Sequence, residues 1–343
     1  MPDSPLNVAI VGCGIFGEVH AATYRDFEQA NLVAVCDLDP KRARALAAKY
    51  GARACTRVEE IAEDTTVQAV SVATPDFAHR HVCEVLAAAG KHLLVEKPLA
   101  MTVADARAIR DAVARAGVLG MVDFHNRYHP ALVPIKQRLE RGELGRPQMM
   151  YGRLSDRLEV ATEWFAWSGR SGPEWFLGSH LADVACWLFG AYPTRVFAQG
   201  RKDVLASRGI GCYDSVQMSL AFPEGFATLE TSWILPASWP TLVDFVVSLQ
   251  TTGGRADMDM GDQGSQIAAA AGYERPMLVA RDPLDPDDFG FLSLPIRRFV
   301  RAVLAGGESP MPLELGLKNV QILAAAHASL DSGAPVAITY DAP

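Results

Sequence analysis

This chain of 343 residues lacks a basic segment and a long apolar run. Its formal net charge is −8 and its pI is near 5.5, which argues against nucleic acid and anionic membranes as partners. No apolar run reaches the roughly 18 residues that a membrane-spanning helix needs. The N-terminal MPDSPLNVAIVG has no charged stretch ahead of a long apolar one, so we expect no signal peptide.

Cysteine is also sparse, with six residues and no C-x-x-C pair. Most of the six lie in apolar runs, which is typical of buried free thiols. A reducing compartment such as the cytoplasm is the simplest interpretation. The six residues are Cys13, Cys36, Cys55, Cys83, Cys186 and Cys212.

The first third of the chain alternates short apolar runs with longer helical patterns. This alternation is typical of βαβ units and a parallel sheet. We count about six strands, which predicts an α/β fold with a doubly wound Rossmann sheet over residues 1–122. The clearest predicted strands are 6–11, 31–36, 68–73, 92–95 and 119–122, and the predicted helices are 16–24, 40–49, 74–88 and 102–116.

After residue 122 the pattern changes to β-branched and aromatic runs separated by turns. SVQMSLAF and FATLETSWIL lie on either side of a turn at Pro223-Glu224-Gly225, and a second pair of runs turns at Gly253-Gly254. Both pairs predict antiparallel hairpins, so residues 123–343 are expected to form an α+β domain for substrate binding and oligomerisation. Its predicted helices are 130–141, 175–188 and 313–330, the last of which could pack back on the first domain, and its final strand is 336–339.

The sequence VGCGIFG follows the first predicted strand and opens the first helix. Gly12, Gly14 and Gly17 have the spacing of a dinucleotide-binding loop, in which the glycines let a pyrophosphate approach the helix N-terminus. We therefore expect the cofactor to lie against these glycines and against Ile15 and Phe16. A glycine turn without a ligand is the alternative, but the strand and helix on either side favour the cofactor.

Asp37 ends the second predicted strand, twenty residues after the last glycine of the loop. A carboxylate there can bind the adenosine ribose hydroxyls and repels a 2′-phosphate, which favours NAD over NADP. Lys41, Arg42 and Arg44 follow closely and weaken this preference, although a solvated helix face explains them more simply.

Two more turns follow predicted strands of the first domain. In a doubly wound sheet such turns border the crevice for the nicotinamide half of the cofactor. The residues expected there are Thr74, Pro75, His79, Glu96 and Lys97. Capping of the next helix explains Thr74 and Pro75 equally well. Lys97, beside Glu96 as its ion-pair partner, could move a proton on a carbinol oxygen during hydride transfer. A surface lysine in a strand–helix loop is the alternative.

The chain resembles the glucose–fructose oxidoreductase / inositol dehydrogenase / MocA-like (Gfo/Idh/MocA) family in AIVGCGIFGEVHAATY, VAVCDLDPKRARALAAKYG, VSVATPDFAHRHVCEVLAAAGKH and AGKHLLVEKPLAMTVADARAI. The resemblance covers the first 122 residues densely and continues through NRYHPAL, LGRPQ, LGSHLADVACWLFG and AHASLDSGAPV. It implies NAD or NADP as cofactor, a sugar, cyclitol or related hydroxylated substrate, and catalysis by the lysine of EKP, here Lys97. It also implies a second domain with a large open, mainly antiparallel sheet that forms a homodimer or homotetramer interface.

The predicted helix 175–188 carries Phe176, His180 and Asp183 on one face. An imidazole titrates near neutrality, so His180 suits proton transfer, and Asp183 one turn later could orient it. A core histidine is the alternative. The family pattern D-x-G-x-H-x-x-D places its histidine on His180 and its first aspartate on Phe176. The resemblance therefore implies a proton-transfer set reduced to Lys97 and His180.

Several residues besides Lys97, Phe176 and His180 are expected to contact the substrate. Asn126, Arg127 and Tyr128 lie where the first domain passes into the second, and Trp167 lies in an aromatic loop whose rings could stack on a sugar. Strand-end packing explains the first three equally well. His125 and His129 are four residues apart, but a proline follows and no acidic or cysteine ligand stands nearby, so we predict no metal site.

The sequence leaves two classes of function open. The first is an NAD(P)-dependent oxidoreductase that transfers a hydride between the nicotinamide and a secondary alcohol or ketone. The second is an NAD-using glycosidase or a non-catalytic dinucleotide- or sugar-binding regulator of the same fold. Lys97 and His180 favour the first, whereas the phenylalanine at position 176 favours some departure from the family.

Overall fold

The computed structural model describes residues 4–263, 267–269, 272–275, 279–280, 285 and 287–341. The chain forms two compact units. Unit 1 contains Met1–His125 and Ala280–Leu317, and unit 2 contains Asn126–Val279 and Lys318–Pro343. Within the described ranges no helix combines the length and the apolar character that crossing a membrane requires. All six cysteines are free thiols.

The secondary structure elements are numbered in chain order. The strands are β1 (Leu6–Val11), β2 (Ala30–Cys36), β3 (Arg53–Cys55), β4 (Ala69–Val72), β5 (His92–Glu96), β6 (Gly120–Asp123), β7 (Pro147–Arg157), β8 (Arg195–Arg201), β9 (Ser215–Phe222), β10 (Gly225–Leu235), β11 (Val243–Thr251), β12 (Arg255–Asp259), β13 (Ile267–Ala269), β14 (Gly272–Glu274) and β15 (Val336–Ala337). The α-helices are α1 (Ile15–Arg25), α2 (Pro40–Tyr50), α3 (Val58–Ala62), α4 (His79–Ala88), α5 (Val103–Ala116), α6 (Leu132–Glu140), α7 (Pro173–Phe176), α8 (Gly178–Phe189), α9 (Ser293–Ala305) and α10 (Leu313–Ser332).

Unit 1 is built on a parallel sheet of six strands in the order β3-β2-β1-β4-β5-β6. This confirms the predicted doubly wound sheet. Every residue of β4 and β6 is buried, as expected for parallel strands that are covered on both faces. The strand order reverses between β1 and β4, so the carboxyl ends of these strands border the crevice where such sheets bind ligands.

Local capping explains where the helices of unit 1 begin and end. Asp39 accepts the backbone N–H of Lys41 at the start of α2, and Gly51 ends that helix with a φ of 70°. The helix predicted from residue 74 instead begins as a 3₁₀ turn at Asp76, and α4 follows. Pro75 has a ψ of 145°, so the chain is still extended at that point and an α-helix cannot yet start.

Unit 2 contains a seven-stranded sheet in the order β12-β11-β7-β10-β9-β8-β15 and a small pair, β13 and β14. All its pairings are antiparallel except that between β7 and β10. This confirms the predicted hairpins and the mainly antiparallel sheet. The helices α7 and α8 pack on this sheet.

The single helix predicted over 175–188 is divided in the structure. The helix α7 ends at Phe176 and α8 begins at Gly178. The backbone N–H of His180 bonds to the carbonyl of Leu177, three residues back, so the turn is tighter than an α-helical turn. Every residue of α8 except Trp187 and Phe189 is buried, so the helix has no solvated face before its last turn.

Candidate active site

The glycine loop after β1 is shaped to admit a ligand close to the backbone. Gly12 has a φ of 102°, and a Cβ at this position would overlap the carbonyl oxygen of Ala73. A Cβ on Gly17 would overlap the carbonyl oxygen of Gly12, so helix and loop also touch closely. Gly14, at the N-cap of α1, has no atom within 4 Å of its Cβ position and offers no side-chain cap. A phosphate could therefore approach the start of α1 at Gly14 without meeting a side chain there.

Asp37 is fixed at the end of β2, beside this loop. One carboxylate oxygen accepts the backbone N–H of Cys13 at 2.8 Å, and the other accepts that of Asp39 at 2.8 Å. The acid therefore lies where a ribose hydroxyl of the dinucleotide is bound in such folds. Lys41, Arg42 and Arg44 are exposed on α2.

In the segment after β4, the hydroxyl of Thr74 and the ring nitrogens of His79 differ in their hydrogen bonding. The hydroxyl of Thr74 is buried and has no hydrogen-bond partner among the described residues, so it suits a ligand. The two ring nitrogens of His79 lie 2.9 Å from the carbonyl oxygen of Thr74 and 3.2 Å from that of Leu99. His79 was expected against the cofactor, but its nitrogens link two turns of the backbone.

Lys97 follows β5 at the same carboxyl edge of the sheet. Its residue exposure is 2%, which rules out the alternative of a surface lysine. Its ammonium nitrogen lies 5.4 Å from the centre of the Phe16 ring, within range of a cation–π interaction. Glu96 accepts the backbone N–H of Lys97 at 3.3 Å, and its other carboxylate oxygen lies 3.1 Å from the Nε2 atom of His20.

A buried polar chain behind Lys97 was not predicted. The hydroxyl of Tyr24 lies 2.6 Å from Ser71 Oγ, which lies 2.8 Å from the Nδ1 atom of His20. Burial works to raise the pKa of Glu96, but its hydrogen bond to His20 and the nearby positive charges hold that pKa below the usual value. The only signal in the sequence was position, because His20 lies on the helix that follows the glycine loop.

Asp123, at the end of β6, is the second carboxyl group of this edge. Burial and the charge of Glu96 raise the pKa of Asp123 well above its usual value, while Lys97 opposes the rise. Its place as the last residue of a parallel strand could have identified it, as it did for Glu96.

Unit 2 places the predicted pair of His180 and Asp183 differently from expectation. Both carboxylate oxygens of Asp183 accept hydrogen bonds from the guanidinium of Arg127, at 2.7 and 2.8 Å. A planar guanidinium matches a carboxylate at two points, and Asp183 therefore anchors Arg127. His180 is buried on α8, with 5% of its surface exposed.

Phe176 belongs to an aromatic wall made of Phe165, Trp167, Phe176 and Trp233. The ring centre of Phe176 lies 5.0 Å from that of Phe165, 6.0 Å from that of Trp167 and 5.8 Å from that of Trp233. Trp233 is fully buried, and its indole N–H donates to Asp156 at 3.2 Å. Phe176 and Trp167 are partly exposed, so part of each of these two rings is accessible to solvent.

The short 3₁₀ turn His125–Tyr128 holds the other predicted substrate contacts. Asn126 is buried and Tyr128 is half-buried. His129 accepts the backbone N–H of Ala131 on its Nδ1 atom at 3.2 Å, just before α6 begins. Unit 1 holds Gly12, Gly14, Ile15, Phe16, Gly17, Asp37, Thr74, Pro75, His79, Glu96 and Lys97, and unit 2 holds Asn126, Arg127, Tyr128, Trp167, Phe176, His180 and Asp183.

Two family models match the chain. Residues 6–124 match the oxidoreductase family with an NAD-binding Rossmann fold, and residues 133–256 match the GFO/IDH/MocA C-terminal domain. Together they cover more than two thirds of the chain.

Curated relatives include sugar and cyclitol dehydrogenases. Inositol 2-dehydrogenase from Rhizobium meliloti is 28% identical over 279 residues, which is 80% of this chain and 82% of that protein. D-apiose dehydrogenase from Paraburkholderia graminis is 35% identical over 190 residues, which is 53% of this chain but only 49% of that protein.

Solved structures share the fold over nearly the whole chain. GenD2 from gentamicin A biosynthesis, in complex with NAD, has a TM-score of 0.85 at 24% identity and covers 98% of this chain and 97% of its own. Scyllo-inositol dehydrogenase from Lactobacillus casei, with NAD(H) and scyllo-inositol, has a TM-score of 0.83 at 17% identity and covers 97% of this chain and 99% of its own.

Proposed function

Because the chain belongs to the Gfo/Idh/MocA family of NAD-binding oxidoreductases, we propose that it is a dehydrogenase of sugars, cyclitols or related hydroxylated compounds. The reaction would move a hydride between the nicotinamide ring and a secondary alcohol or ketone. The observation that carries this proposal is the buried Lys97 at the carboxyl edge of the sheet that also bears the glycine loop. The names of the relatives, which include inositol 2-dehydrogenase and D-apiose dehydrogenase, support the substrate class.

The residues of unit 1 fit NAD. The open space at Gly14 and the uncapped start of α1 suit the pyrophosphate, and the fixed carboxylate of Asp37 suits a ribose diol. The buried hydroxyl of Thr74 has no hydrogen-bond partner among the described residues and could bond to the nicotinamide half. When bound, NAD supplies the hydride acceptor.

The protein's own contribution is the proton. As hydride leaves the carbinol carbon, the hydroxyl oxygen must lose its proton, and an amine held at that oxygen can accept it or stabilise the developing charge. We assign this role to Lys97. The proposal keeps His180, on α8, as the second proton-transfer group and assigns Arg127 and Tyr128 to the binding of substrate hydroxyls.

The proposal also covers the cellular compartment and the oligomeric state. Six free thiols fit a reducing compartment such as the cytoplasm. The mainly antiparallel sheet of unit 2 would form a homodimer or homotetramer interface, because its central strands β7 and β10 expose the large apolar side chains of Met149 and Phe226.

One observation favours a second candidate, a glycosidase that uses NAD or a binding protein without turnover. Phe176 stands where the family pattern has an aspartate, and its ring lies in the aromatic wall. A phenyl group cannot take part in proton transfer, so the chemistry of this chain could differ from that of a simple dehydrogenase.

A panel of sugars, cyclitols and sugar acids, each mixed with NAD and followed by NADH absorbance, tests the choice. If the protein is a dehydrogenase, the absorbance should rise with at least one compound. The matching ketone should then be reduced by NADH in the reverse reaction. Calorimetric NAD binding without any oxidation or reduction across the panel favours the second candidate. The same panel with aryl glycosides, followed by release of the phenol, then separates a glycosidase from a binding protein.

A further inference from the structure

Two carboxyl groups lie together in a dry part of unit 1. Glu96 and Asp123 are paired residues of the adjacent parallel strands β5 and β6. Their residue exposures are 5% and 1%, and each has a carboxylate oxygen within 4.8 Å of the other's and of a His20 ring nitrogen. Two carboxylates this close, away from water, repel each other strongly, so one of them is expected to keep a proton.

Hydrogen bonds decide which of the two is ionised. Glu96 contacts the Nε2 atom of His20 at 3.1 Å through one oxygen and accepts the backbone N–H of Lys97 at 3.3 Å through the other. Asp123 has an oxygen, Oδ1, without a hydrogen-bond partner in the described part of the chain. Its nearest ring nitrogens are those of His20 at 3.8 Å and His125 at 3.9 Å. Donors stabilise the charged form of a carboxyl group, so the charge belongs on Glu96.

The chain behind Glu96 points its donors toward that charge. Burial raises the pKa of Tyr24, so its hydroxyl keeps its proton and can donate to Ser71 Oγ. Ser71 can then donate to the Nδ1 atom of His20, whose Nε2–H donates to Glu96. With these directions every group from Tyr24 to Glu96 is satisfied by a single proton on the imidazole. A chain of donors with these directions favours a negative charge at its end.

We propose that Asp123 keeps a proton in the working enzyme, and that His20, Ser71 and Tyr24 are positioning residues that fix one negative charge on Glu96. Lys97 then faces one carboxylate instead of two. This inference rests on the proposed function of Lys97 as the proton acceptor. A second carboxylate would stabilise the ammonium form further, and an amine that stays protonated cannot accept a proton from the substrate.

The charges around the pair agree with this assignment. The charges of Glu96 and Lys97 act on Asp123, whereas Glu96 is stabilised by its hydrogen bond to His20 and by the charges of Lys97 and His125. The helix α9 also packs on β5 and β6, but its Arg297 and Arg301 lie over the ring of Phe27. The pKa of Asp123 is raised and that of Glu96 is lowered, which is the pattern of two carboxyl groups that share one proton.

Infrared spectroscopy tests the proton directly and needs no substrate. A protonated carboxylic acid has a carbonyl stretch that an ionised carboxylate lacks. We expect this band at neutral pH in the full-length protein, with and without NAD. It should shift when aspartate is labelled with ¹³C, stay in place when glutamate is labelled, and disappear in Asp123→Asn. A band that shifts with labelled glutamate instead, or the absence of any such band, overturns the proposal. Because no turnover is measured, this result is independent of whether the proposed function is right.

The role in catalysis is tested by a matched pair of isosteric variants, Glu96→Gln and Asp123→Asn, once the panel has supplied a substrate. In Glu96→Gln the ammonium of Lys97 loses its fixed counter-charge, so the rising limb of turnover against pH should move to lower pH by about one unit or more. In Asp123→Asn a neutral amide replaces a neutral carboxylic acid, so the rising limb of turnover against pH should keep its position. An equal shift in both variants would show that Asp123 is also charged. A divalent metal that copurifies at one equivalent and is lost in both variants would also contradict the proposal, because the same three side chains would then be its ligands.

Discussion

The carboxylate of Asp37 accepts the backbone N–H of Cys13, the residue between the first two glycines of the cofactor loop, at 2.8 Å. The contact joins the end of β2 to the turn after β1, so a single acid fixes the shape of the loop and places a negative charge beside it. Loop geometry and cofactor preference therefore depend on the same side chain.

Asp37 leads us to expect tighter binding of NAD than of NADP. A 2′-phosphate would meet the carboxylate, whereas a ribose diol can donate to it. Asp37→Asn keeps an oxygen acceptor for Cys13 but loses the charge, so the difference between the two dissociation constants should narrow. Calorimetric titration of both proteins with both nucleotides measures it. Equal or tighter binding of NADP by the unaltered protein would mean that Lys41, Arg42 and Arg44 set the preference.

The second prediction concerns Phe176 in the aromatic wall. Phe176→Asp should lower kcat/KM on the best substrate of the panel, because a carboxylate among Phe165, Trp167 and Trp233 is poorly solvated. It should also raise the relative activity on an inositol-like polyol, whose hydroxyl can bond to the new acid. Phe176→Leu is the matched control, since it keeps the site apolar and should change kcat/KM much less. If both variants behave alike, the wall does not contribute to substrate choice.

The third prediction is a pH dependence of stability from His129. Burial lowers the pKa of His129 to about 4, below the roughly 6.5 of an unfolded histidine. Above about pH 6.5 this histidine is neutral in both the folded and the unfolded state. As the pH falls from about 6.5 to about 4, the unfolded chain takes up a proton that the folded protein does not, so the fold loses stability. The full size of this loss is on the order of 3 kcal/mol.

His129→Asn checks this value, because an amide oxygen can still accept the N–H of Ala131 but does not titrate. Denaturant melts between pH 4 and 7 should show a shallower loss of stability in the variant than in the unaltered protein. His81→Asn, at an exposed position on α4, is the control. Identical slopes for His129→Asn and the unaltered protein would contradict the prediction.

The fourth prediction concerns assembly through the sheet of unit 2. Met149 on β7 and Phe226 on β10 are paired neighbours in the sheet, and 45% and 47% of their surfaces are exposed. Apolar side chains placed side by side in this way are usually covered. We expect a dimer or tetramer by light scattering, and a shift toward monomer in Met149→Lys/Phe226→Lys. Leu294→Lys on α9, similarly exposed, should not change the assembly. A 37.0 kDa monomer of the unaltered protein at micromolar concentration would refute it.

Sequence patterns identified the features that depend on nearby residues. The spacing of Gly12, Gly14 and Gly17 predicted the loop. Gly12 is required by its close approach to Ala73 and Gly17 by its close approach to Gly12, whereas the Cβ position of Gly14 is open. The hairpin of β9 and β10 was equally local. The helix α9 was missed although Ile296, Phe299 and Val300 follow the helical period, and β3 is too short to show any period.

Such patterns could not predict contacts between segments that are far apart in the sequence. Arg127 and Asp183 are 56 residues apart, so the spacing of Asp183 from His180 suggested the wrong partner for the acid. His20 and Glu96 are 76 residues apart, and only the order of β1, β4 and β5 brings them together. The parallel pairing of β7 with β10 is likewise set by the whole sheet and not by a hairpin.

The most direct test of the account is the turnover of Lys97→Ala on the substrate that the panel identifies, with NAD affinity measured on the same protein. If Lys97 accepts the proton in the chemical step, kcat should fall by about two to four decades while the NAD dissociation constant stays close to that of the unaltered protein. His180→Ala should lose a similar amount if the two residues share the task. Unchanged turnover in Lys97→Ala would contradict the account and place the proton transfer elsewhere.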